Sequence, residues 1–302
     1  MIHPNRYGVI DLGTNTFHLL IVDKEETSFK AIFRKRVFVK LGQGGVTHIQ
    51  KEPFERGLLC LLEFKTLLEK YQCKKIKCIG TAALRKSSNA STFIQEAEIK
   101  TGFQIEVISG TQEAFLIYKG IQQVFSFKES YSLIMDIGGG SVEFIIANND
   151  GVVFSESIPI GIAILKNKFH HTDPMSKEEQ ISLRAFYLQQ TLVLQSNLAK
   201  YKPSELIGSS GTFDVLNEYL TKEIINNSIS KFDLNIYQQF AKKVLASTSD
   251  QLMQWEAIPD KRVDLISVAI QLINITLETA QIDTLFSSNY SLKEGLLITI
   301  DS

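Results

Sequence analysis

The sequence is short of the features that mark several protein classes. Only 3 of its 302 residues are cysteine. Cys60, Cys73 and Cys78 are odd in number, form no Cys-x-x-Cys pair and sit in apolar or lysine-flanked contexts, which excludes a disulfide framework and fits reduced thiols in the cytoplasm. Charge of one sign is also missing: 32 Lys and Arg against 33 Asp and Glu leave −1, so no global attraction to nucleic acid or membrane is expected and a polyanion site must be locally basic. No segment is expected to approach the roughly 20 apolar residues of a membrane span. The first twenty residues carry Asp11 and a turn where a cleavable leader would be apolar, so the chain reads as neither exported nor anchored. His18, His170 and His171 lack a second His or Cys cluster at ligand spacing, which argues against zinc. With 44 % hydrophobic and 22 % charged residues, an ordinary globular chain with two cores is expected.

What is present is one motif, twice. Val9-Ile10-Asp11-Leu12-Gly13-Thr14-Asn15-Thr16-Phe17 and Ile134-Met135-Asp136-Ile137-Gly138-Gly139-Gly140-Ser141-Val142-Glu143 each run from an apolar strand through an aspartate and a small-residue turn into a second strand, Leu19 to Val22 or Phe144 to Ala147. An Asp-x-Gly turn alone is an ordinary hairpin signal. Two in register point to phosphate, because small residues let backbone amides converge on an anion, and an aspartate beside an anion calls for a cation between them. An oxygen-ligated Mg²⁺ or another divalent cation, held by carboxylates, water and phosphate, suits such a site.

The elements following each motif repeat as well. In the first half a strand at Phe29 to Val39, a helix from Pro53 to Tyr71, a strand at Lys75 to Ile79, a helix from Asn89 to Thr101 closed by Gly102, a strand at Gln104 to Ile108 and a helix after Ser109-Gly110-Thr111 are expected. In the second half strands at Leu133 to Met135, Phe144 to Ala147 and Val152 to Ile158 precede a helix opened by the capping box Ser176-x-x-Glu179. A strand at Glu205 to Ile207, helices through much of 213 to 281, a strand at Thr284 to Phe286 and a helix from Ser291 complete it. Residues 1–125 and 126–302 read as two α/β domains around a central cleft, the second with extra helices. Trp255 and the stripe Val263, Ile266, Ala269, Ile270, Ile273 and Leu277 read as core.

Several side chains admit two readings. Glu113 either complements a helix dipole, with Ser109 and Gln112 as a capping box, or orients and deprotonates an attacking water at the cleft. Arg85 either neutralises phosphate oxygens or is an exposed ion-pairing residue. The runs Arg34, Lys35, Arg36, Lys40 and Lys74, Lys75, Lys77 read first as solvated faces and second as polyanion guides.

These motifs, together with Gly80-Thr81-Ala82-Ala83-Leu84-Arg85, Ile105-Glu106-Val107-Ile108-Ser109-Gly110 with Glu113-Ala114, Gly208-Ser209-Ser210-Gly211-Thr212 and Glu294-Gly295-Leu296-Leu297, resemble the exopolyphosphatase and guanosine pentaphosphate phosphatase family, in a short two-domain form. The resemblance covers nearly the whole sequence and implies the duplicated actin-like ribonuclease-H fold shared with sugar kinases and the Hsp70 ATPase. It implies that Glu113 matches the catalytic glutamate, Asp136 and Glu143 the magnesium-associated carboxylates, and Arg85 a phosphate-binding arginine. The turns with Asp11, Gly13, Thr14, Asn15, Thr16, Gly138, Gly139, Gly140 and Ser141 would hold the terminal phosphates, and Gly208 to Thr212 would form a nucleotide or substrate loop. His18, Ser291 and Lys293 depart from the family's common arginine, glycine and arginine. The expected activity is hydrolysis of the terminal phosphoanhydride of inorganic polyphosphate, with guanosine pentaphosphate (pppGpp) as the nearest alternative. A sugar or acetate kinase and a non-catalytic phosphate or nucleotide sensor are the readings from other classes. Exposed apolar faces in the second half would be compatible with a homodimer.

Overall fold

The computed structural model describes residues 5–26, 28–220, 222–256 and 258–300. The first of two sheets contains β1 (Arg6–Leu12), β2 (Phe17–Lys24), β3 (Phe29–Val37), β4 (Lys75–Gly80) and β5 (Ile105–Val107). Helices α1 (Lys51–Lys70), α2 (Ala82–Lys86), α3 (Ala90–Thr101) and α4 (Gly110–Gln122) connect and follow these strands. The second sheet contains β6 (Ser132–Ile137), β7 (Val142–Asn148), β8 (Gly151–Ile158), β9 (Glu205–Ser209), β10 (Lys222–Asn226), β11 (Ile229–Phe232) and β12 (Leu285–Ser288). Its helices are α5 (Ile162–Phe169), α6 (Lys177–Gln190), α7 (Leu192–Tyr201), α8 (Gly211–Tyr219), α9 (Leu234–Ala246), α10 (Ser249–Leu252), α11 (Asp260–Ala280) and α12 (Leu292–Ile298).

The strand order is β3-β2-β1-β4-β5 in one sheet and β10-β11-β12-β9-β6-β7-β8 in the other. Read outward from β8, the second sheet repeats the first and adds the β10–β11 hairpin beyond β12, so the duplicated actin-like ribonuclease-H topology is present. Helices α8, α9, α10 and α11 occupy much of 213 to 281 as expected, and the β10–β11 hairpin interrupts them. Its strands pair antiparallel with each other and with β12, and Ile224 remains 69 % exposed.

Side-chain alternation along each strand sorts the core into layers. Ile10 and Leu12 pack outward with α1 and α3, while Tyr7 and Val9 face inward; in β6, Leu133 and Met135 pack with α6 and α11, and Ile134 faces inward. The inward faces of both sheets enclose α4 and α12, whose Ile117, Ile121, Leu292 and Leu296 are buried between them. Each such side chain contributes about 1.5–3 kcal/mol relative to exposure. The last helix, on the carboxyl-terminal side of the second sheet, thus packs beside α4 and against β1. The same alternation places Asp11 with Val9, Asp136 with Ile134 and Glu143 with Ile145, all on the inward faces.

The expectation about membrane-length segments needs one correction. By length and composition α11 is apolar enough to cross a membrane, but it is mostly buried under the second sheet. The three cysteines are free thiols, two of them buried.

Candidate phosphate-binding cleft

Each Asp-x-Gly turn closes with the same hydrogen bond. Gly13 N–H donates to the Thr16 carbonyl at 3.1 Å, and Gly138 N–H to the Ser141 carbonyl at 3.0 Å. A Cβ on either glycine would lie 2.8 or 2.9 Å from that carbonyl oxygen, so the turns admit no side chain there. The two turns meet: a Cβ on Gly139 would stand 3.0 Å from Asn15 Cβ, and one on Gly140 2.4 Å from Thr14 Oγ1. Both are pinned from behind through their carbonyls, Thr14 and Asn15 by the amides of Gly42 and Lys40, Gly138 and Gly139 by those of Ile162 and Ala163. Among the described residues, the N–H groups of Thr14, Asn15, Gly139 and Gly140 donate no hydrogen bond. Free amides gathered at one junction are the kind of group that can form an anion nest.

Six carboxylates line the cleft, which encloses about 1000 Å³: Asp11, Glu113, Asp136 and Glu143, together with both turns, and Asp214 and Glu218 on α8. Asp136 and Glu143 are register partners across β6 and β7. Asp136 accepts from the hydroxyls of Ser209 at 2.6 Å, Ser210 and Ser291, and Glu143 Oε1 accepts from Ser141 at 2.7 Å and Ser157 at 2.6 Å. Oδ1 of Asp11 is buried without a partner. Burial pushes Asp11 up to about 7, against the pull of Lys293 and with added repulsion from Glu113 and Asp136. Burial likewise raises Glu113 to about 7, opposed by Arg85. Glu143 is raised well above the carboxylate range by burial and then by Glu113 and Asp136. Crowded, dry carboxylates with an orphaned oxygen fit a hard cation. No cluster of three or more metal-ligating side chains forms among the described residues, so substrate and water must complete any coordination shell.

Cations flank the acidic centre. Arg34, Lys35, Arg36, Arg262 and Lys293 all line the cleft. The Arg262 guanidinium lies over Gly211, where a Cβ would stand 1.7 Å from Nη2, and 5.8 Å from the Phe38 ring centroid. Its burial and the nearby Arg36 bring its pKa down to about 10. His18, in β2, holds the position that Glu143 holds in β7; burial and then Lys293, Arg36 and Arg262 drive its pKa well down, so it stays neutral. Sequence reading passed over Arg262. The available signal was a cation in the first turn of a helix, where the dipole disfavours it.

The structure brings together Asp11, Gly13, Thr14, Asn15, Thr16, Glu113, Asp136, Gly138, Gly139, Gly140, Ser141, Glu143, Ser210, Gly211 and Thr212. Three expected residues fall outside the lining. Arg85 pairs with Glu113 and does not itself line the cleft. Gly208 and Ser209 lie in β9; a Cβ on Gly208 would collide with the Phe213 ring at 1.9 Å, and Ser209 is spent on Asp136. The 208–212 segment therefore supports Asp136 and Arg262 through Ser209, Ser210 and Gly211.

Two ribonuclease-H-type halves meeting at paired Asp-x-Gly turns define a protein of the actin-like fold. The chain belongs to the Ppx/GppA phosphatase family, whose profile matches residues 20–301. A guanosine-5'-triphosphate,3'-diphosphate pyrophosphatase of Vibrio vulnificus is 31 % identical over 301 residues, covering 96 % of this chain and 58 % of the relative. The Aeromonas hydrophila protein of the same name is 27 % identical over 297 residues, again with 96 % and 58 % covered. The chain thus spans about 58 % of the length of these curated relatives. Among solved structures, an exopolyphosphatase from Cytophaga hutchinsonii superposes with a TM-score of 0.92 at 34 % identity, covering 98 % of this chain and 97 % of that one. The Aquifex aeolicus Ppx/GppA enzyme shares the fold, with a TM-score of 0.77 at 24 % identity over 98 % of this chain and 99 % of that one.

Proposed function

We propose that the protein hydrolyses the terminal phosphoanhydride of inorganic polyphosphate and releases orthophosphate. The observation that carries this reading is the row of undonated amides at Thr14, Asn15, Gly139 and Gly140, set in one cleft with Glu113. These amides hold the oxygens of the terminal phosphoryl group at the junction of the two turns. Glu113 takes the proton of the attacking water, and a base with a pKa near 7 is well matched to neutral pH. Arg36, Arg262 and Lys293 carry the charge of the following phosphates. Asp136 and Glu143, completed by substrate and water, would hold a divalent cation such as Mg²⁺, and the ion would supply charge neutralisation at the phosphate oxygens.

Guanosine pentaphosphate is the second reading. Phe38, Tyr290 and the exposed Ile224 line the same cleft and offer apolar surface of the kind a purine would cover, for which a bare phosphate chain has no use. Phosphate release measured side by side from polyphosphate and guanosine pentaphosphate with Mg²⁺ tests both. Release from the nucleotide alone would replace the first reading with the second, and release from neither would remove the hydrolase.

A further inference from the structure

Arg85 sits in the short helix α2, and its side chain is 20 % exposed. Its Nη1 donates at once to Oε2 of Glu113, at 2.6 Å, and to the carbonyl oxygen of Ile108, at 3.0 Å. One guanidinium nitrogen thereby ties three pieces of chain: α2, the residue following β5, and the first turn of α4. Glu113 lines the cleft and Arg85 does not. The other charges felt by Glu113 within the site are acidic, with Asp11 on β1, Asp136 on β6 and Glu143 on β7. A buried carboxylate among three others swings away or takes up a proton unless a fixed cation holds it. Arg85 is that cation, and its second bond, to a backbone carbonyl, fixes its own position.

We propose that Arg85 acts through Glu113 and not on the substrate: it is a positioning residue that anchors one carboxylate oxygen and leaves the other for the attacking water. This rests on the reading of Glu113 as the base. It assigns Arg85 a role different from the phosphate contact that family resemblance implies. A charged hydrogen bond of this length, bridged to backbone, restricts the carboxylate far more than packing alone. Misplacing a reacting group by about 1 Å costs on the order of 10²-fold in rate.

The test is a double-substitution cycle on the full chain, with kcat and KM measured on whichever of inorganic polyphosphate and guanosine pentaphosphate is turned over. Arg85→Met is expected to lower kcat on the order of 10²-fold with KM largely unchanged, and Arg85→Lys, which keeps one charged donor, to recover part of the loss. In a Glu113→Gln background Arg85→Met should cost little further turnover, because the group it positions is already gone. A rise in KM with kcat retained, or losses that multiply in the double variant, would make Arg85 a substrate contact and overturn the inference. Should Arg85→Met not fold, Arg85→Lys alone and in the Glu113→Gln background carries the same comparison. Full turnover by Glu113→Gln itself would instead defeat the reading of Glu113 as base, an outcome distinct from failure of the Arg85 inference.

Discussion

The hydroxyl of Ser291, at the start of α12, donates to Oδ2 of Asp136 at the end of β6. The bond joins the helix that fills the space between the sheets to the centre of the acidic cleft. Ser291 is 5 % exposed and Asp136 6 %, so little water reaches the bond. A hydrogen bond to a buried charged group contributes about 1.5–3 kcal/mol. Ser291→Ala should lose stability of that order in a denaturant titration at neutral pH. A loss below about 0.5 kcal/mol, the scatter of ordinary surface substitutions, would show that Ser209 and Ser210 alone satisfy the carboxylate.

Gly295 lies against α4 so closely that a Cβ there would be 1.8 Å from the carbonyl oxygen of Leu116, and Gly120 faces Ser291 O at 2.0 Å by the same measure. Neither backbone can yield without moving a helix wedged between two sheets. Gly295→Ala should therefore cost at least the about 1–3 kcal/mol typical of overpacking and lower the melting temperature accordingly. Gly102→Ala provides the contrast. There φ is +77° but nothing lies within 4 Å of the added Cβ, so only the left-handed backbone resists, at about 1 kcal/mol. Equal losses at both positions would contradict the close helix crossing.

Local chemistry explains which parts were legible in the sequence. The paired turns depend on residues adjacent in the chain, and the capping boxes at Ser109 and Ser176 form as their spacing predicts. Strand alternation carries Asp11, Asp136 and Glu143 to one side without knowledge of the partner sheet. The β10–β11 hairpin was hidden because its strands are short, Ile224 and Ile225 of β10 stay exposed while Ile229 and Phe232 of β11 are buried, and its pairing depends on β12, distant in sequence. Arg262 was hidden for a related reason, since its meaning arises only where the start of α11 crosses Gly211. Arg85 was legible at the end of β4, but its pairing with Glu113, which enters from the end of β5, arises only in the fold.

Burial and mutual repulsion raise the proton affinities of Asp11, Glu113 and Glu143 in the folded state. A carboxyl group with a raised folded pKa stabilises fully below its unfolded value near 4 and loses that contribution as pH climbs through about 7. Glu179 runs the other way, held down to about 2 by Thr172 and backbone amides, but its window closes below pH 4.5. Below pH 6.5 the lowered pKa values of His18 and His170 oppose this trend, and between pH 6.5 and pH 8 the cleft carboxylates dominate, so the melting temperature should fall as pH rises across that upper range. A divalent cation relieves the same repulsion and competes with protons for the same oxygens. Adding Mg²⁺ should raise the melting temperature more at pH 8 than at pH 5, read by calorimetry. Equal gains at both pH values would mean that the ion is held elsewhere.

Arg36 on β3 pairs across the cleft with Asp214 in the first turn of α8. The partners are 36 % and 29 % exposed, so salt screens them and the pair contributes no more than about 0.2–1 kcal/mol. A phosphate chain leaving the anion nest along this wall meets Arg36 already occupied, and must displace Asp214 and tolerate its negative charge. Asp214→Asn keeps a polar side chain at the helix start while removing both costs. It should lower KM for polyphosphate by up to about fivefold at low ionic strength, the factor that about 1 kcal/mol represents. The advantage should shrink as salt is added, because added ions screen the interaction in both proteins. Steady-state kinetics over a salt series reads both effects. If KM does not move at any ionic strength, the substrate does not reach β3, and the cations that receive the chain beyond its terminal phosphate are Arg262 and Lys293 alone.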